Sequence, residues 1–296
     1  MQREELFSQS GFYGFLLQSN VLLHREAAAA AVEAVGVVLA NLEPEDPVGV
    51  LDLACGGWPV TIAEVMEAFP DTRFAYTGVD INPDQVKLAA NEFPFPDNVT
   101  ESRLVEGNAW ELADLRLDEV YPIIFSGMNL HHGTPEEILF LGLQLRERRA
   151  PGGLFFSHDV YRPEGERYRS RPEVIDGATS WLVNPARLEE AGASYVPVAR
   201  DDGPGEPNWR NSYVESMYRA LVNRGGNPAG ARSTVRHMLS RDYPVSTGEF
   251  RAIMEGLGFE VSVIRYDETA EPLGPYVATC VVMQPAEDAA SYTDTG

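Results

Sequence analysis

Residues 48 to 56, Val-Gly-Val-Leu-Asp-Leu-Ala-Cys-Gly, constrain this chain most: an apolar run that reads as a strand covered on both faces, then small residues where the backbone turns sharply. Thr61 to Phe69 follows as a helix with Ile62, Val65, Met66 and Phe69 on one side. Strand, loop and helix in that order let a ligand approach the main chain at Ala54, Cys55, Gly56 and Gly57, where side chains are short or missing. A tight strand-to-helix turn with no ligand would read the same from this segment alone. A second strand-like run, Phe74 to Asp80, ends on an acid about 20 residues beyond the loop, where a doubly wound sheet sets a carboxylate against a ribose. Together the two segments point to adenosine bound across the edge of a parallel sheet.

The alternation continues. Pro83 suits the first turn of a helix, and Val86, Leu88 and Ala89 give that helix an apolar side. Arg103 to Trp110 reads as a short strand ending at Gly107 and Asn108. Tyr121 to His132 is a buried strand that opens into polar and small residues, and Thr134-Pro135-Glu136-Glu137 starts the next helix. Pro151 to Asp159 supplies a fifth strand. Five strands alternating with helices, each strand ending in small or polar residues, predict an open α/β sheet with its ligand at the carboxyl edge.

The segments Leu51 to Gly57, Gly78-Val-Asp80-Ile81, Gly107-Asn108-Ala109-Trp110, Asn129-Leu130-His131-His132 and Pro151-Gly152-Gly153 occur in an order that resembles the class I S-adenosylmethionine (SAM)-dependent methyltransferases. The resemblance runs from about residue 45 to 160 and resumes at 244 to 283. It implies a doubly wound, mostly parallel seven-stranded Rossmann-like α/β sheet, with N-terminal lid helices and a helical cap insertion. It also implies SAM as cofactor, held by Asp52, Ala54, Cys55, Gly56, Gly57, Trp58, Asp80, Ile81, Gly107, Asn108, Ala109, Trp110, Met128 and Asn129. Asp80 would hold the ribose hydroxyls, residues 107 to 110 would bracket adenine, and the segment from Asn129 to His132 would face the methionine part. The family pattern carries glycine where this chain has Ala54 and Trp58, so the tryptophan is expected to shape the methionine end of the pocket.

The remaining chain divides by pattern. Residues 1–40 read as two helices, one dense in Phe12, Tyr13, Phe15, Leu16 and Leu17 and one alanine-rich from His24 to Leu39; in this fold they would cover the cofactor. Residues 41–160 form the SAM-binding core and 161–243 a helical cap for the acceptor, where the alternation stops and Trp209, Tyr213, Met217, Tyr218 and Leu221 recur at helical spacing. Residues 244–284 return to the core with a helix and a closing antiparallel pair, Val261 to Tyr266 and Tyr276 to Met283. Residues 285–296 read as a polar, disordered tail. With 296 residues and 44% apolar content, one elaborated domain fits the length. No run is long and apolar enough for a membrane span, and the N-terminus lacks a signal-peptide pattern, so a cytoplasmic protein without membrane partners is expected. Cys55 and Cys280 lie far apart in sequence and give no disulfide framework. Asn98-Val99-Thr100 matches a glycosylation acceptor, read here as chance.

A net charge of −22 and a single lysine, Lys87, argue against a nucleic acid partner and for a small-molecule acceptor. Arg162, Arg167, Arg169 and Arg171, concentrated after the fifth strand, favour an anionic acceptor, although surface pairing with the surplus acids explains them equally well. Self-association into a homo-oligomer is left open. Methyl transfer asks a protein to align the acceptor, remove its proton where needed and exclude water. His131 and His132 are the candidate bases, with His158, Asp159 and His237 also in reach of the sequence argument. No metal is expected, because Ser126-Gly127-Met128 stands where a metal-dependent variant would need an acid. Three functions follow in order: a methyltransferase acting on oxygen or nitrogen of a small molecule, a SAM-binding protein with a non-methylating or regulatory role, and an NAD-dependent oxidoreductase. The third is weakest, because the loop lacks a Gly-x-Gly-x-x-Gly run.

Overall fold

The computed structural model describes residues 10–41, 47–115, 117, 120–164, 209–242, 244–266 and 273–283. The seven strands are β1 (Val48–Leu53), β2 (Phe74–Asp80), β3 (Val99–Glu106), β4 (Tyr121–Gly127), β5 (Arg149–Val160), β6 (Glu260–Arg265) and β7 (Val277–Met283). They form one sheet in the order β3-β2-β1-β4-β5-β7-β6. Pairing is parallel for β1 with β2 and β4, β2 with β3, and β4 with β5, so strand order reverses at β1. That reversal is the switch point where ligands enter open α/β sheets. The doubly wound, mostly parallel sheet expected from the sequence is therefore present.

Because β1, β2 and β4 are buried almost throughout, alternation alone cannot fix their register. Bonds at the strand ends do so instead. Val48 donates its N–H to the Arg73 carbonyl at 2.8 Å, Phe74 to Asn98 at 2.9 Å, and Cys55 to Val79 at 2.9 Å. Pairing Leu53 with Val79 and with Ser126 then brings the ends of the central strands level at one edge.

The chain divides into two compact units. One comprises His24–Asp159, Thr247–Ile264 and Ala278–Gly296 and holds most of the sheet. Here α2 (His24–Asn41), grouped in the sequence reading with the cofactor cover, contributes Ala28, Ala31, Val35 and Val38 to the main core. It packs there with Ile62, Val65 and Met66 of α3 (Val60–Glu67), over Val50, Phe74, Tyr76, Phe125 and Phe156 of the sheet. Two further helices start on strong caps. In α4 (Pro83–Glu92), Asn82 accepts the Asp84 N–H at 3.0 Å and Pro83 opens the first turn. In α5 (Pro135–Arg148), Thr134 and Glu137 exchange bonds as a capping box.

The second unit comprises Met1–Leu23, Val160–Ser246 and Arg265–Val277. It includes α1 (Ser10–Gln18), α6 (Trp209–Asn223) and α7 (Pro228–Arg241), while α8 (Thr247–Gly256) belongs to the sheet unit. Tyr213, Met217, Tyr218 and Leu221 of the helical stripe predicted for α6 are buried, and the Trp209 side chain lies outside the described residues. Asn227 caps α7 through the Gly230 N–H at 2.7 Å, and Arg224 donates to the Ser19 carbonyl. Arg167, Arg169 and Arg171, the loop at 201–207 and the tail at 285–296 lie outside the described residues, as does the Tyr13 side chain.

The glycosylation-like tripeptide has a structural use. Asn98 donates Nδ2 to the carbonyls of Met66, Phe69 and Thr72 at 2.8, 2.9 and 3.2 Å, closing the end of α3 onto the start of β3. Asn98→Ala removes the side-chain donor that these carbonyls share and is expected to cost about 1–3 kcal/mol, read as a lowered denaturation midpoint at unchanged slope.

Candidate functional site

The carboxyl edge of the sheet gathers the predicted residues from separate loops. After β1, Ala54 has a φ of 58°, in the left-handed region, which costs a non-glycine residue about 1–2 kcal/mol. Glycine at this position, as in the family pattern, would avoid the strain. Gly56 also has positive φ, at 62°. Gly57 is glycine for space, since a Cβ would come within 2.5 Å of Leu88 and 2.7 Å of Gln85.

Three successive amides of this loop have acceptors. Cys55 donates to the Val79 carbonyl, Gly56 to Asp80 Oδ2 at 2.9 Å, and Gly57 to Gln85 Oε1 at 2.8 Å. Asp80 takes a second amide, that of Asn82, on Oδ1 at 2.8 Å, and its own carbonyl accepts the Gly107 N–H at 3.0 Å. Burial pushes the Asp80 carboxyl above the ordinary value, and the Asn82 and Gly56 amides oppose that shift. Beside it Ile81 is 62% exposed, an apolar side chain left at the edge. Asn108 accepts the Trp110 N–H at 3.1 Å, turning the segment after β3, and Ala109 is buried in that turn. The Trp58 ring meets Phe93 edge-on at 5.8 Å, and Phe93 continues through Phe95 to Tyr76.

The same arrangement recurs at β4 and β5. Met128 follows β4 with a φ of 51° and donates its N–H to the His158 carbonyl at 2.8 Å. Asp159 then accepts the amides of Asn129 and Leu130 on Oδ2 at 2.9 and 2.6 Å, and meets His131 Nδ1 through Oδ1 at 2.5 Å. An ionised carboxylate only accepts hydrogen bonds, so opposite an ionised Asp159 the Nδ1 of His131 carries the proton and Nε2 the ring lone pair. His132 lies next to His131 in the 3₁₀ turn Leu130–His132, with ring centroids 3.9 Å apart. Asn129 is buried and reaches Ser126 Oγ at 3.3 Å.

The structure is similar to the plantazolicin methyltransferase BamL, solved with a triazolic desmethylPZN analog and SAH, at a TM-score of 0.51 and 11% identity over 95% of this chain and 93% of that one. It is similar also to the plantazolicin methyltransferase BpumL in the corresponding complex, at a TM-score of 0.51 and 10% identity over the same shares of the two chains. The fold is that of the class I SAM-dependent methyltransferases. No protein-family model matches the sequence, and neither does any curated protein.

The structure brings the loop after β1, the acid after β2 and the histidine turn to one edge of the sheet. Asp159 and Gln85 join them there through hydrogen bonds. The usable signal for Asp159 was positional: like Asp80, it is an acid at the end of a strand paired with one that opens into a small-residue turn. Asp52 faces inward, fully buried, and accepts the Tyr76 hydroxyl at 2.9 Å. His24 and His158 form a second buried polar group, with His24 bonded to Thr61 at 3.1 Å and His158 to Thr279 at 3.3 Å. Burial, with His158 adding, holds the His24 imidazole down at about 3, so it stays neutral. Among the described residues no helix is long and apolar enough to cross a membrane.

Burial pushes the Asp52 carboxyl up to about 8, against the Tyr76 hydrogen bond and with nearby Asp80 adding to the rise. The unfolded value is near 3.8, so the folded state keeps an extra proton between the two, and stability falls as pH rises from about 4 to about 8. Asp52→Asn has no such proton. Its melting temperature relative to the unaltered protein is expected to climb steadily across that window and then level; a constant difference would mean an Asp52 already ionised when folded.

Proposed function

We propose that this protein is a SAM-dependent methyltransferase that moves a methyl group to an oxygen or nitrogen of a small molecule. The observation that carries the reading is the occupation of the loop amides after β1. Dinucleotide sites bind pyrophosphate through backbone N–H groups at such a loop. Here the amides of Cys55, Gly56 and Gly57 already serve Val79, Asp80 and Gln85. The edge offers a carboxylate for a ribose diol and little for a phosphate, which suits a nucleoside cofactor without phosphates and argues against NAD.

SAM would supply a methyl group already activated on a sulfonium. The chain's residues would do the rest. Asp80 accepts the ribose hydroxyls, Ile81 and residues 107 to 110 flank adenine, and the loop from Ala54 to Trp58 with Met128 and Asn129 lines the methionine end. His131 takes the acceptor's proton on Nε2, while Asp159 holds the ring and offsets the positive charge that forms. His132 stands beside it as a second candidate. A small acceptor in a cytoplasmic setting fits the acidic charge, and Arg162, buried after β5, is the described member of the arginine group suggested to favour an anion.

Calorimetry with SAH and NAD tests the cofactor: SAH binds, NAD does not, and Asp80→Ala weakens SAH by about 1.5–3 kcal/mol as charge-assisted hydrogen bonds are lost. Unchanged SAH affinity in that variant would remove Asp80 from the site. For the chemistry, SAH release is measured across a panel of hydroxyl and amine acceptors. His131→Ala is expected to lower turnover on the best acceptor about 10²–10⁴-fold while SAH affinity holds. Equal turnover would pass the role of base to another group.

A further inference from the structure

Trp110 is held from two directions. Gln144, on α5 and buried, donates Nε2 to the Trp110 carbonyl at 2.8 Å and accepts the Ala113 N–H on Oε1 at 3.2 Å. The indole lies against Gly133, where a Cβ would come within 2.2 Å of the ring. Gly133 has an ordinary φ of −97°, so its backbone would accept other residues and the lack of a side chain serves the ring.

A glutamine between buried Leu141 and Leu145 is costly unless both ends of its amide are used. Here one end meets a carbonyl and the other an N–H three residues along, a match that only an amide can make. Leucine makes neither bond, and an ionised glutamate makes one. The helix that carries Gln144 begins at Pro135, just after Gly133 and the histidine turn Leu130–His132. One rigid element therefore carries the histidine turn at its start and braces the segment after β3 about two and a half turns later.

We propose that Gln144 is a positioning residue for the cofactor: it sets the Trp110 segment, with the indole seated on Gly133, as the wall against which adenine is read. This rests on the SAM reading above. Gln144 touches no reacting atom, so its effect falls on cofactor affinity and not on the chemical step. Glutamate in its place restores the donated bond only when protonated, which gives the role a pH signature that simple packing lacks.

The test compares the unaltered chain with Gln144→Leu, Gln144→Glu and Gly133→Ala, each checked for folding by circular dichroism. SAH affinity is expected to fall about tenfold in Gln144→Leu, with turnover at saturating SAM within a few-fold of the original. In Gln144→Glu the loss is present at pH 8 and shrinks toward pH 5. Gly133→Ala, which displaces the ring without touching the core amide, weakens SAH as well and serves where Gln144→Leu does not fold. Hydrogen exchange at the Ala113 amide, measured without any cofactor, speeds up in Gln144→Leu. Unchanged SAH affinity in a folded Gln144→Leu or in Gly133→Ala overturns the positioning role alone, as does a Gln144→Glu loss that ignores pH. An unaltered chain that binds no SAH overturns the SAM reading, and this role with it, even if Ala113 exchange behaves as expected.

Discussion

Every parallel strand delivers amides to its carboxyl end that the next loop must satisfy, and two buried carboxylates meet that demand here. Asp80 accepts the amides of Gly56 and Asn82, and Asp159 those of Asn129 and Leu130. The device is the same on both sides of the switch point. A strand ends, one non-glycine residue takes a left-handed conformation, and the acid at the end of the neighbouring strand gathers the amides that follow. Ala54 and Met128 are those residues. Their strain persists because the surrounding hydrogen bonds determine the backbone more strongly than local preference does.

Conformation at this edge thus depends on partners distant in sequence. Gln85 holds Gly57 across 28 positions, and Asp159 holds Asn129 across 30. Such bonds leave the loops little freedom before any ligand arrives. Preorganised donors and acceptors lower the ordering cost of binding, and a base fixed in one tautomer avoids reorganising during proton transfer.

What was legible in the sequence follows from the range of the forces involved. Buried strands, amphipathic helices and the helix starts at Pro83 and Thr134 are encoded within a few residues, so the layer order and the edge were readable. The capping box at Thr134 and Glu137 was visible as a spacing. Ala54 carries no mark of positive φ, because alanine sits in that region only when the fold forces it there. Nor does Asn98 announce that it will bind three carbonyls at and beyond the end of a preceding helix. The inward turn of Asp52 was hidden for a related reason: on a strand buried on both faces, alternation does not tell which side chains meet the ligand edge. Its partner, Tyr76, lies on another strand.

Charge is distributed with the same logic. The chain carries −22 overall, yet burial keeps two of its interior groups neutral: His24 stays unprotonated and Asp52 holds its proton to about pH 8. An ionised Asp52 beside Asp80 would place two like charges under one loop. With Asp52 neutral, the hydrogen-bonded Asp80 stands as the acid of the β1–β2 edge. A strongly acidic chain repels the pyrophosphate of a dinucleotide and attracts a cationic sulfonium, and the effect on encounter is largest at low salt. On the proposed SAM reading, the field of the whole protein and the prior commitment of the loop amides therefore act in the same direction, by independent physical means.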